Sequence, residues 1–204
     1  MLQPAYTKIS WKLITCAQVY LNHAVIHHFN WLADTIDASD GVHMLDAVEW
    51  DASDMDLIIY TDVSLTGLGF TAPHRLIGFC ASMPANKLLA TIFYYEALAI
   101  ASAILWATGL RPSVNHLLIY TNSLNCIDMF NSLHAQEGYS DILLFTVCMI
   151  ISTKISLRIF HIPGTDNAVA NALSQQLLAT TINLLPGLKI HHFQPPHEAL
   201  GPVE

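Results

Sequence analysis

Basic side chains are the scarcest feature of this sequence. Its 204 residues hold 8 Lys and Arg against 16 Asp and Glu, a formal net charge of −8. A protein that grips a nucleic-acid duplex unaided carries a basic stripe. Too little basic material is present here to build one, so metal ions or a neighbouring domain would have to supply positive charge. Charge of either sign is sparse at 12%, whereas 53% of the residues are hydrophobic. That excludes a disordered chain and predicts one globular domain with a sizeable core plus some extra length at an end. Cysteine pairs of the CxxC type are absent. Cys16, Cys80, Cys126 and Cys148 therefore suggest neither a zinc ribbon nor a thioredoxin-like site. They read as reduced core thiols of an intracellular protein, cytoplasmic or nuclear. The first residues also lack the apolar run of a secretory signal, being interrupted by Pro4, Lys8 and Lys12.

Long apolar runs are nearly absent too, with one exception. Residues 88–110 carry a single charge, Glu96, and meet the length rule for a bilayer helix. A carboxylate near the middle of a span is costly, and only Lys87 and Arg111 stand at the flanks. The segments on both sides read as strands of a soluble sheet. A membrane protein is thus the third-ranked reading, and the expectation is no membrane.

Apolar positions Leu21, Val25, Phe29, Leu32 and Ile36 follow helical spacing and predict a helix over residues 17–38, with a stop at Gly41. Asp46, Glu49, Asp51, Asp54 and Asp56 then form an acidic, exposed connector. The run Leu57-Ile58-Ile59-Tyr60-Thr61 is β-rich and apolar, as a buried strand should be. Strands follow at about 68–71 and, after the Pro73-His74 turn, 75–81. The stretch 91–108 is rich in Ala and Leu, has no internal Gly or Pro, and is punctuated by Gly109 and Pro112, which predicts a helix. A second run, Leu117-Leu118-Ile119-Tyr120-Thr121-Asn122, then echoes the first. Helices at 124–133 and 141–153 and a strand at 155–161 come next. Pro163-Gly164 turns the chain, and Asn167 is placed to cap a final helix reaching about residue 180. From Pro186 onward, with Pro195-Pro196, a loosely ordered tail is expected. The three parts are a helical connector over 1–53, a main domain over 54–181 and a C-terminal tail over 182–204. Three consecutive strands imply an antiparallel meander, and the later strand–helix alternation implies parallel pairing at its edge. The fold class is therefore α/β, a mixed sheet flanked by helices.

Two acids stand out against this apolar background. Asp62 ends a buried strand, and Glu96 lies on the most apolar helix with no Lys or Arg within a turn. Such acids are expensive to bury unless a cation pairs with them. Mg2+ would resolve both problems, because it favours a few hard oxygen ligands. The plainer alternative is that Asp62 caps a turn with Ser64 and Thr66 while Glu96 reaches solvent; composition does not choose between them. His23 and His27 have a spacing compatible with metal binding, and His191, His192 and His197 crowd the tail, but with 11 histidines such pairs arise by chance. Ser123 and Ser174 have no adjacent base, so a hydrolase triad is not supported.

Four segments carry a resemblance. In order they are Ile59-Tyr60-Thr61-Asp62-Val63-Ser64, Tyr95-Glu96-Ala97-Leu98-Ala99, Tyr120-Thr121-Asn122-Ser123, and the run from His161-Ile162-Pro163-Gly164 through Asn167 to Asn171-Ala172-Leu173-Ser174. They resemble the TDAS, Glu-helix, TDS and HxPGxxNxxADALS segments of ribonuclease H domains in retroelement reverse transcriptases, over roughly residues 57–180. The helix and acidic connector resemble the segment that links polymerase to ribonuclease H in DIRS-type elements. The resemblance implies a ribonuclease H-like five-stranded mixed sheet, with the strand at 57–62 central between those at 68–71 and 116–121. It also implies a two-metal phosphodiesterase: four carboxylates holding two Mg2+ ions about 4 Å apart, acting on the RNA of an RNA–DNA hybrid. Carried over by motif, the catalytic positions are Asp62, Glu96, Asn122 and Asn171, expected to converge on one face. The first two match the family and are the expected metal ligands. The last two depart from it, since the family has Asp at both. About half of the charge that compensates two dications is missing, so Mg2+ binding is expected to be weak and activity impaired or absent. Asp166 falls in the loop before the helix and is not expected to substitute. His161 matches the family's strand-end His, and the short loop after it argues against a general-acid role. No paired-Asp polymerase turn is present, and an upstream reverse transcriptase domain is the expected partner, with weak hybrid binding. The rival reading is a non-catalytic remnant of the same fold with a structural or binding role.

Overall fold

The computed structural model describes residues 20–38, 50, 53–84, 91–136 and 138–196. Asp46, Glu49, Asp51, Gly41, Lys87, His197 and the start of the helix expected from residue 17 lie outside them. The chain divides into two compact units, 1–47 and 48–204.

In the first unit, helix α1 spans His23–Ala38. It starts later than its apolar spacing suggests, because Asn22 Oδ1 accepts the Val25 N–H at 3.0 Å and so caps the first turn.

The second unit contains strands β1 (Leu57–Val63), β2 (Gly67–Ala72), β3 (Ile77–Ser82), β4 (His116–Thr121), β5 (Ser156–His161) and β6 (Lys189–His192). Its helices are α2 (Ile92–Thr108), α3 (Leu124–Ser132), α4 (Ser140–Thr153), α5 (Ala168–Ser174) and α6 (Leu178–Leu184). The strands form one sheet in the order β5-β4-β1-β2-β3-β6. β1, β2 and β3 are the antiparallel meander, while β4 pairs parallel to β1 and β5 parallel to β4. As expected, β1 is central between β2 and β4. The echo between the two apolar runs is their register: Leu57, Ile58, Ile59 and Tyr60 pair with Leu117, Leu118, Ile119 and Tyr120. Asp56 Oδ2 fixes the start of that pairing by accepting the backbone N–H groups of Asn115 and His116 at 2.8 and 2.9 Å. Those bonds to the charged form hold its carboxyl below the usual range, His116 contributing most.

The sheet has six strands rather than five. The expected loose tail is instead ordered as far as residue 196, where β6 joins the free edge of β3 in parallel. Leu188 is buried just before it, and Phe193 just after it meets Phe70 edge-on at 5.1 Å. The helix expected to run to residue 180 is broken. Gln176 takes φ 59°, the Leu177 N–H turns back to Ala172 O, and α6 begins afresh. β3 begins at Ile77 because Pro73–Arg75 form a short 3-10 turn. Asn167 stands before α5 without capping it, since its Nδ2 donates to Thr61 O at 2.8 Å. Trp50 belongs to this unit. Its Nε1 donates to Ser156 Oγ at 2.7 Å, its ring stacks on His116, and Arg158 lies 4.7 Å above it.

Of the run 88–110, the structure describes residues 91–110. Their helix, α2, has 17 residues, and among the described residues no helix is long and apolar enough to cross a membrane. α2 is apolar nearly all round because its residues from Ala97 to Ile104 are buried, covered by the sheet and by α4 among others.

Candidate functional site

Side chains alternate across a strand, and this places two helices on opposite faces. Phe70 meets Trp106 of α2, whereas a Cβ on the adjacent Gly69 would run into α5. Asp62 pairs across the ladder with Gly69 and shares its α5-side face. It is the penultimate residue of β1, and Asn122 follows immediately after β4. Both lie at the carboxyl ends of parallel neighbours, where open α/β sheets place their ligands.

Asp62 is 6% exposed, and both of its carboxylate oxygens are engaged. Oδ1 accepts from Asn122 Nδ2 at 3.1 Å, and Oδ2 accepts from Ser174 Oγ at 2.8 Å. Burial raises its carboxyl above the ordinary range. The bonds from Ser174 and Asn122 and from the Val63 backbone oppose that rise. Glu96 arrives from α2, and its Oε2 accepts a short hydrogen bond from Ser123 Oγ. Burial raises its carboxyl too, the Ser123 bond opposes this, and the negative charge of Asp62 adds to it. Ser123 is also the N-cap of α3, accepting the Cys126 N–H.

Asn171 is placed differently. It lies on α5, half-buried, and its Oδ1 accepts from Gln175 Nε2 at 2.7 Å one turn along the helix. Its link to Asp62 is indirect, since Ser174 Oγ bonds both Asn171 O and Asp62. The direct cluster is therefore Asp62 with Asn122 and Ser174, with Glu96 tied in through Ser123. Asp166 is exposed in the loop, where its Oδ1 accepts from Thr165 Oγ1 at 3.3 Å; His161 ends β5, exposed. His23 and His27 are exposed on α1, His191 and His192 on β6.

Ser174, Ser123 and Asn167 were not legible as site residues. Ser174 had one signal: it follows Asn171 by three positions, which puts both on one helix face. The turn reading of Asp62 is half right. The Ser64 and Thr66 hydroxyls lie 2.8 Å apart, but they sit against Ser174 O, at 2.8 and 3.1 Å, rather than against Asp62.

A pair of divalent cations does not fit this donor set. Asn122 turns its N–H end toward Asp62, as it must, because an ionised carboxylate can only accept. That points a donor where a metal needs an oxygen. The Asn171 amide oxygen is engaged by Gln175, and among the described residues no group of three or more His, Cys, Asp or Glu is placed to hold a metal. Asn167 keeps a buried Oδ1 with no hydrogen-bond partner, but its amide faces the Thr61 backbone rather than either carboxylate.

No protein-family model matches the chain, and no curated protein does. Among solved structures it is similar to LC11-RNase H1 in complex with an RNA/DNA hybrid, at 18% identity over 59% of this chain and 94% of that one, with TM-score 0.50. RNase H1 from the halophilic archaeon Halobacterium salinarum NRC-1 matches at 16% identity over 60% and 97%, with TM-score 0.44. The foamy viral protease-reverse transcriptase in complex with RNA/DNA hybrid matches at 15% identity, over 86% of this chain and 28% of that one, with TM-score 0.43. The likeness to LC11-RNase H1 shows the fold alone: the chain has the ribonuclease H-like fold, a mixed sheet flanked by helices.

Proposed function

We propose that this chain is a ribonuclease H-like domain of retroelement reverse-transcriptase descent, built around the RNA strand of an RNA–DNA hybrid, whose hydrolytic site is impaired. Asp62 and Glu96 are the two carboxylates retained at the family's catalytic and metal-binding positions. Asn122 and Asn171 hold the places of the other two. Residues 1–53 are the connector to an upstream polymerase domain, and the finer likeness to DIRS-type elements rests on that segment. The observation that carries the reading is the Asn122 Nδ2 bond to Asp62 Oδ1. It puts an amide beside the first catalytic Asp on the strand end where the family motif has a carboxylate. The same bond favours the rival reading of a non-catalytic remnant, and activity decides between them.

The test is a cleavage assay on the unaltered chain with RNA labelled in an RNA–DNA hybrid and millimolar Mg2+. Product should stay near background. Negative transition-state charge at phosphate needs compensating cations, which two carboxylates would hold only weakly. Turnover at the about 1 s−1 or faster of ordinary enzymes would overturn the impaired-site reading.

Hybrid binding is expected to be feeble. The basic side chains within residues 54–181 are Arg75, Lys87, Arg111, Lys154 and Arg158, and Arg158 already lies over Trp50. Each neutralised phosphate contributes a salt slope of about 0.9. Affinity should therefore be no tighter than about 10 μM at physiological salt and fall with a log–log slope shallower than about −4. Fluorescence anisotropy across a salt series measures both. Tight binding that persists at high salt would mean a different partner surface.

A further inference from the structure

We propose that the Asp62 cluster is a metal-independent polar joint: Asn122 and Ser174 tie β1 to β4 and α5 by themselves, so the folded chain gains nothing from a divalent cation there. The inference uses the proposed function only in taking Asn122 to stand where the family has Asp. An ionised carboxylate as buried as Asp62 needs donors or a cation. It has two donors from the chain, at 3.1 Å from β4's end and at 2.8 Å from α5. The second donor is itself anchored. Ser174 is fully buried, and its carbonyl is held by Ser64 Oγ at 2.8 Å and Thr66 Oγ1 at 3.1 Å, from the turn that follows β1. Glu96 is satisfied the same way by Ser123, joining α2 to the start of α3. Both carboxylates thus accept hydrogen bonds from a separate element of the fold. A carboxylate at position 122 would keep the shape and invert the interaction. Two negative oxygens would then approach about as closely as donor and acceptor do now, and a cation or a shared proton would be needed to hold them.

The test is thermal unfolding of the full chain in EDTA and in millimolar Mg2+, with no nucleic acid present. The unaltered midpoint should move by less than about 1 °C between the two buffers, because a ligand stabilises only what binds it. Asn122→Asp should lose about 3–8 °C in EDTA and recover at least half of it with Mg2+. Asn122→Ala and Ser174→Ala remove a donor without adding charge. Each should lose several degrees that Mg2+ does not restore, and Asn122→Ala keeps the test decisive if Asn122→Asp does not fold. A midpoint of the unaltered chain that rises by about 3 °C or more with Mg2+ would overturn the proposal. So would Asn122→Ala as stable as the parent. Cleavage of hybrid by the unaltered chain would overturn the proposed function instead, and that is read in a separate assay.

Discussion

Asn122→Asp together with Asn171→Asp is expected to create Mg2+-dependent cleavage of RNA in an RNA–DNA hybrid, at least about 1,000-fold above the unaltered chain. The scaffold needed is already present. Asp62 and Asn122 end adjacent parallel strands with their side chains in contact, Glu96 reaches the same cluster through Ser123, and α5 is pinned to β1 by Ser174. What the resemblance says is missing is two negative charges, and Asp differs from Asn by little else. Neither single change should recover more than about a tenth of the double's gain, since residues that hold one charge pair act as a unit. Asn122→Asp repairs the position that now points a donor at Asp62. Asn171→Asp also has to free the new carboxylate from Gln175, whose Nε2 bonds the present amide oxygen. It should therefore be the weaker single. Cleavage by the parent, both singles and the double, with and without Mg2+, gives the answer. Strong activity in the parent would overturn the impaired-site reading. A folded but inert double would show that the thin basic surface or an absent neighbouring domain also limits the chain.

The parts of this fold that were readable are those with a local cause. β1 and β4 announce themselves as contiguous β-type runs because parallel central strands are buried on both faces, and Ile59, Leu117, Leu118 and Ile119 are fully buried. α2 was readable because its composition excludes other structures and Gly109 ends it. β6 was not. Lys189-Ile190-His191-His192 offers a single apolar residue, and its partner β3 lies a hundred residues earlier with no hairpin turn to signal the pairing. Its place comes from flanking contacts instead, Leu188 beneath and Phe193 against Phe70. The break between α5 and α6 was hidden for a similar reason, because Gln176 at positive φ carries no compositional mark. At the site, the motif positions of Asp62, Glu96, Asn122 and Asn171 came from the resemblance. Ser174 bonds Asp62 across 112 residues of sequence, Ser123 bonds Glu96 across 27, and Asn167 bonds the Thr61 carbonyl beside Asp62 across 106, which no spacing rule reaches.

Gly69→Val should be strongly damaging, costing about 3 kcal/mol or more, since overpacking against atoms that cannot yield exceeds the usual range. The geometry admits nothing at that position. An added Cβ would lie 2.5 Å from Ser174 N, 2.8 Å from Ala170 O and 2.8 Å from Leu173 Cβ. Two of those atoms are helix backbone, so relief means moving α5 off the sheet rather than turning a side chain. Ser174 is the residue struck first, and it holds Asp62 through its hydroxyl. The same displacement should therefore strip a donor from the buried carboxylate, an added cost of about 1–3 kcal/mol. Gly69→Ala places the same Cβ with nothing beyond it and should cost about 1–3 kcal/mol. Gly109→Ala supplies the contrast. Gly109 follows α2 with φ −81° and ψ −8°, and an added Cβ would meet only Trp106 O at 3.5 Å. It should change stability by less than about 0.5 kcal/mol, or raise it slightly by restricting the unfolded chain. Urea unfolding monitored by tryptophan fluorescence ranks the three. Gly69→Val within about 1 kcal/mol of the parent would mean that α5 does not sit on β2 as tightly as these distances require.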